Sequence, residues 1–121
     1  MDRTFLLIGA LAGFTGVALG AFGAHALRAR LSPEMLSVFE TGVRYQMYHA
    51  LAVIATGLIV ARSGGWLFVT AGWLFTAGII LFSGSLYLLA FTGVTVLGAI
   101  TPIGGVAFLL GWACLALAAS G

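Results

Sequence analysis

The sequence predicts an all-α integral membrane protein, a four-helix bundle with a short interfacial helix between spans 1 and 2. Three observations carry this. The 121-residue chain is 62% apolar and 7% charged, whereas soluble domains carry about 25% charged residues. Five of its eight charged side chains (Arg28, Arg30, Glu34, Glu40 and Arg44) lie between Gly20 and Ala50, and none lies from Ser63 to Gly121. At ~20 residues per span the chain accommodates about four spans and no extramembrane domain. The net charge of +2 comes from arginine alone. Arginines beside membrane segments suit headgroup contact and topology setting, so the bilayer is the expected partner and nucleic acid is not. The single Cys114 excludes an intramolecular disulfide and a cysteine-based metal site.

Span 1 is expected over about 4–24. Asp2-Arg3 followed by an apolar run ending in Ala24-His25-Ala26 imitates a signal peptide with a small-x-small cleavage site. The apolar run of about 20 residues exceeds the 7–15 of such leaders, so it is read as a retained span. At 100° per residue, Gly9, Gly13, Gly16, Gly20 and Gly23 fall within an arc of about 80°. Phe5, Leu7, Leu11 and Phe14 are expected opposite. Such a stripe lets another helix approach closely, either inside one protomer or at a homo-oligomer seam.

Ser32-Pro33-Glu34 is a helix start: Ser caps, Pro tolerates the first helical position, and Glu suits the positive end of the helix dipole. The helix from Pro33 is expected to lie at the interface over about 33–42, then to continue or kink at Gly42 into span 2, about 43–61. Arg62-Ser63-Gly64-Gly65 stops it. Span 3 is expected over about 66–91, with Trp66 and Tyr87 in the interfacial belts and Ser83 and Gly84 serving helix packing. Span 4 is expected over about 95–119. Pro102 either starts its helix or divides it, and the apolar 94–100 stretch favours a kinked or two-part helix. Gly104 and Gly105 again offer close approach.

Candidate chemistry lies at the head of span 2. With Glu40 at 0°, Arg44 and Tyr48 fall on one face and Tyr45, Gln46 and His49 on another. A segment polar around most of its circumference needs neighbours other than lipid. Glu40 and Arg44 have the favourable i,i+4 order for an ion pair. His25 and His49 flank the same connection and could meet across the bundle end as a titrating pair or a two-histidine metal or haem site. Their spacing matches no metal motif, and neither a metal nor a cofactor is expected. No nucleophile elbow, phosphate loop or carboxylate pair at span depth is visible, so an enzyme is not expected.

Four blocks, GAFGAHALR (20–28), TGVRYQMYHALA (41–52), FSGSLYLL (82–89) and TPIGG…FLLGW (101–112), resemble the domain-of-unknown-function 423 family. These are small bacterial integral membrane proteins similar to the eukaryotic transmembrane protein 256 group. The resemblance implies a four-span inner-membrane protein and brings no activity, substrate or cofactor. It places motif positions at Gly23, His25, Tyr45, Gln46, His49, Ser83, Gly84, Pro102, Gly104, Gly105 and Trp112. The function expected first is a structural or accessory role in a homo-oligomer or larger membrane complex. The alternatives are a small channel or transporter with His25, Tyr45, Gln46 and His49 at its mouth, and a metal- or haem-binding redox protein.

Overall fold

A computed structural model describes residues 2–121. Among them are four helices long and apolar enough to cross a membrane: α1 (Arg3–Leu27), α2 (Pro33–Ser63), α3 (Trp66–Thr92) and α4 (Thr95–Ala119). They run up and down in chain order. α2 packs along α1 on one side and α3 on the other, and α4 packs along α3. The protein is an all-α membrane bundle.

Local sequence explains the helix ends. Ser32 Oγ accepts from the Met35 amide at 3.1 Å, with Pro33 at the first helical position. Gly64 and Gly65, at φ 67° and 105°, turn the chain from α2 into α3. Gly93, at φ 70°, closes α3 with a bond from its amide to Leu89 O. Helix α2 passes through Gly42 without a break. Its 31 residues span roughly 46 Å, about 16 Å more than a ~30 Å hydrocarbon core, an excess equal to the first ten residues. The 33–42 segment is thus continuous with the span, one of the two courses open to it.

Departures from α geometry occur in the other helices. α1 widens into a π-helix over Ala18–Gly23 and α3 over Ile79–Ser83. In α4 a 3₁₀ stretch, Thr95–Ala99, precedes an α-helix from Thr101 to Ala119. The fourth helix is therefore two-part, and Pro102 stands in the first turn of its α portion. A proline in the first turn sacrifices no helical hydrogen bond.

The core is built by seating rings in glycine notches. Cβ atoms at Gly57 and Gly72 would both strike Phe5. Likewise Gly78 is filled by Phe108, Gly111 by Phe75, and Gly42 by Tyr87. Phe5 and Phe75 are fully buried as a result, and Phe39 is fully buried against the Tyr87 and Phe91 rings. Phe5 is one turn before Gly9 and so lies on the glycine face, not opposite it, because four residues rotate a helix by only about 40°. Leu7, Leu11 and Phe14 do point outward. In α1, Gly9, Gly16, Gly20 and Gly23 all meet α2 of the same chain, so that stripe is internal packing and not an oligomer seam. Gly13 and Gly84 have nothing within 4 Å of a built Cβ, and Gly105 has only Phe82 at 3.9 Å. By contrast, Gly104 abuts the Phe82 backbone.

Polarity is inverted relative to a soluble protein. Phe14, Phe22, Trp66 and Leu109 are at least 70% exposed, while Gln46, His49, Thr56, Ser83 and Ser85 are buried. Lipid is the solvent that makes this arrangement stable.

Candidate functional site

Gln46 is buried where α1, α2 and α3 meet. Its Nε2 donates to Ala12 O and to Thr15 Oγ1, both at 2.8 Å. Its Oε1 accepts from the Tyr87 hydroxyl at 2.5 Å. The Tyr87 hydroxyl consequently points into the bundle. Phe39 packs on the Tyr87 ring, centroids 5.3 Å apart. One turn away, the Ser83 hydroxyl donates to Gly42 O at 2.6 Å, locking α3 to α2 at the end of the π segment.

His49 faces the seam between α2 and α4, which is bridged by rings more than by backbone approach. Nδ1 lies 2.7 Å from Tyr45 O. A carbonyl only accepts, so Nδ1 carries the proton. The Trp112 indole donates to Nε2 at 3.0 Å. The imidazole is therefore the neutral Nδ1–H tautomer with both nitrogens engaged. Phe108 stacks on it with centroids 3.5 Å apart and planes 8° from parallel. Outside this stack is an open apolar groove of about 420 Å³, lined by Tyr45, Phe82, Pro102, Leu109 and Trp112 among others.

The remaining polar residues stand at the end of the bundle. His25, Arg28, Glu40 and Arg44 border a second groove of about 380 Å³, floored by Gly20, Ala21 and Ala24. Although Glu40 and Arg44 share it, Arg44 Nη2 donates to the Thr41 hydroxyl at 3.3 Å and not to Glu40. Thr41, three residues earlier on the same helix, supplies a nearer partner than the carboxylate. Tyr48 is exposed, its ring edge-on to Tyr45 at 5.8 Å.

Six of the seven residues selected from sequence thus divide among three places. Gln46 is a three-helix knot, Tyr45 and His49 line the α2–α4 seam, and His25, Glu40 and Arg44 surround the end groove, with Tyr48 on the outer surface beside Tyr45. Gly23 of α1 meets Phe39 of α2, so His25 stands level with the beginning of α2, roughly 18 Å along the axis from His49. The two imidazoles do not form a two-histidine site. Four partners escape a reading of α2 alone: Ala12 O, Thr15, Tyr87 and Trp112. The Trp112 indole carried a usable signal, since a tryptophan inside a span needs an acceptor for its N–H.

Residues 19–105 match the family model described as "Protein of unknown function (DUF423)". Whole-chain relatives agree. The chain is 48% identical to the UPF0382 membrane protein YwdK of Bacillus subtilis, covering 97% of this chain and 96% of that protein. It is also 48% identical to the UPF0382 membrane protein SERP0230 of Staphylococcus epidermidis, covering 96% and 94%. The same identity holds for a UPF0382 membrane protein of Haemophilus influenzae, covering 96% and 93%. No solved structure matches significantly. With the buried polar knots and lipid-facing exterior on one side and these relatives on the other, the chain belongs to the DUF423 family of membrane proteins.

Proposed function

We propose that this chain is a structural or accessory component of the cell's inner membrane, working as a prebuilt four-span bundle within a homo-oligomer or larger complex and not as a catalyst or a solute path. The observation behind this reading is how the interior polar groups are used. Gln46 and Ser83 spend their hydrogen-bonding capacity tying helices together, and His49 divides its own between Tyr45 O on its own helix and the Trp112 indole of α4. Among the described residues no buried side-chain nitrogen or oxygen lacks a partner. A conduction path or a reaction centre needs polar groups with capacity to spare for a ligand in transit. A helical bundle also suits the inner membrane, since outer-membrane proteins of bacteria are barrels.

Two measurements test it. Vesicles containing the wild-type protein should leak protons, potassium and small solutes no faster than protein-free vesicles. A wild-type flux that Gln46→Leu or His49→Ala abolishes would overturn the reading. Extracted from native membranes into lipid discs, the protein should occupy a particle heavier than one protomer plus lipid. Recovery as a lone protomer would overturn the assembly role.

A further inference from the structure

The groove at the end of α1 has a chemistry that the bundle's own architecture does not use. Its floor is Gly20, Ala21 and Ala24, three small residues that leave a hollow beside α2. Around the hollow stand two guanidinium groups, Arg28 and Arg44, one imidazole, His25, and one carboxylate, Glu40. Arg44 spends one N–H on Thr41 out of the five donors a guanidinium carries. The groove is thus net positive even with His25 neutral. The Ala18–Gly23 π-helix forms part of its wall, and π segments recur at functional sites.

A second observation comes from the same helix. Beside it, and reaching further down the helix, lies an apolar groove of about 470 Å³ lined by Ala10, Gly13, Phe14, Val17, Ala18 and Phe22. Val17 stands four residues before Ala21, close to one full turn at the entry to the π segment, so the two grooves adjoin on α1. Ala10 to Phe22 covers roughly 18 Å of helix, close to one leaflet of a ~30 Å core. Phe14 and Phe22, both about three-quarters exposed, flank the lower groove.

A cationic hollow at headgroup level, continued by an apolar furrow one leaflet deep, matches an amphiphile with a phosphate above and an acyl chain below. We propose that this face of α1 is a binding site for an anionic phospholipid, its phosphate held by Arg28 and Arg44 with His25 beside them, and one acyl chain laid along Val17 and Ala18 between the Phe14 and Phe22 rings. Arginine presents paired N–H groups that suit phosphate oxygens. Glu40 on the rim repels the same phosphate and sets an upper limit on the affinity.

The test uses the full chain in a neutral detergent, titrated with short-chain phosphatidylglycerol, with short-chain phosphatidylcholine and with inorganic phosphate. Binding is followed by native mass spectrometry and by the shift in melting temperature. Phosphatidylglycerol should remain bound and raise the melting temperature, while phosphatidylcholine and inorganic phosphate at equal concentration should not. Arg28→Gln with Arg44→Gln should weaken the lipid by roughly 10- to 30-fold, at about fivefold per arginine. Arg62→Gln, at the far end of the bundle, should leave it unchanged. Glu40→Gln should tighten binding several-fold, a gain that loss of folding cannot imitate. Equal binding of phosphatidylcholine would overturn the proposal, as would an Arg62→Gln loss matching that of the double variant, or a Glu40→Gln that does not tighten. Saturation by inorganic phosphate alone would assign the groove to free phosphate and overturn the lipid.

Discussion

A glutamine amide has two donors and a carbonyl, and at Gln46 all of them reach other helices: both N–H groups go to α1 and the carbonyl to α3. In hydrocarbon no water replaces a lost partner. Interhelical bonds in membranes average about 0.6 kcal/mol with a maximum near 1.7. Gln46→Leu should therefore lower bundle stability by about 2 kcal/mol, the sum of three such bonds. Tyr87→Phe removes one bond and should cost about 1 kcal/mol. Combining the two should show a coupling of about 0.6–1.7 kcal/mol in a double-mutant cycle read by reversible unfolding in mixed micelles. Strict additivity would show that the 2.5 Å contact contributes nothing to stability.

At the scale of the helix, glycine is significant where backbone is close and incidental elsewhere. Gly104 meets the Phe82 backbone, which cannot rotate away. Gly104→Ala should cost about 1–3 kcal/mol by forcing α3 and α4 apart. Gly13 meets nothing within 4 Å, and Gly13→Ala should raise stability by about 0.5 kcal/mol by restricting the unfolded chain. Thermal melts of the two variants should move in opposite directions. This pair also marks how far the sequence could be read. The spacing of glycines was legible, since periodicity is local. Which glycines face a partner depends on a neighbouring helix that the spacing does not specify. The Ser32 cap was legible because its bond to Met35 closes within three residues. The Glu40–Arg44 pair misled because spacing permits a pairing without requiring it, and Thr41 was available. The π segments left no trace, since neither ALGAFG nor IILFS holds a residue that dictates the winding. The site was legible as a set of polar residues needing neighbours, but not as three separate places, because angles around α2 do not say which helix stands at each angle.

Taken whole, the molecule has the start of α1, the close of α4 and the Ser63–Gly65 turn at one end, with the 28–32 and 93–94 connections at the other. Single cysteines in a Cys114→Ala background make this measurable in sealed vesicles. Cysteines at Ser63 and Ser120, both exposed, should react with an impermeant maleimide from one side of the membrane. Cysteines at Ala29 and Thr92, also exposed, should react only from the other. Labelling of Ser63 and Ala29 variants from the same side would contradict the up-and-down order.

The long reach of the polar knots has a consequence for biosynthesis. Gln46 finds its donors' partners on α1, already inserted when it emerges, but its carbonyl must wait for Tyr87, 41 residues later. The acceptor nitrogen of His49 waits for Trp112, 63 residues later. At 5–20 residues per second these intervals are about 2–8 s and about 3–13 s. During them a half-made chain carries unfilled polar groups at span depth. A product truncated after α2 would keep that defect permanently, which gives membrane quality control a chemical mark by which to distinguish unfinished chains from finished ones.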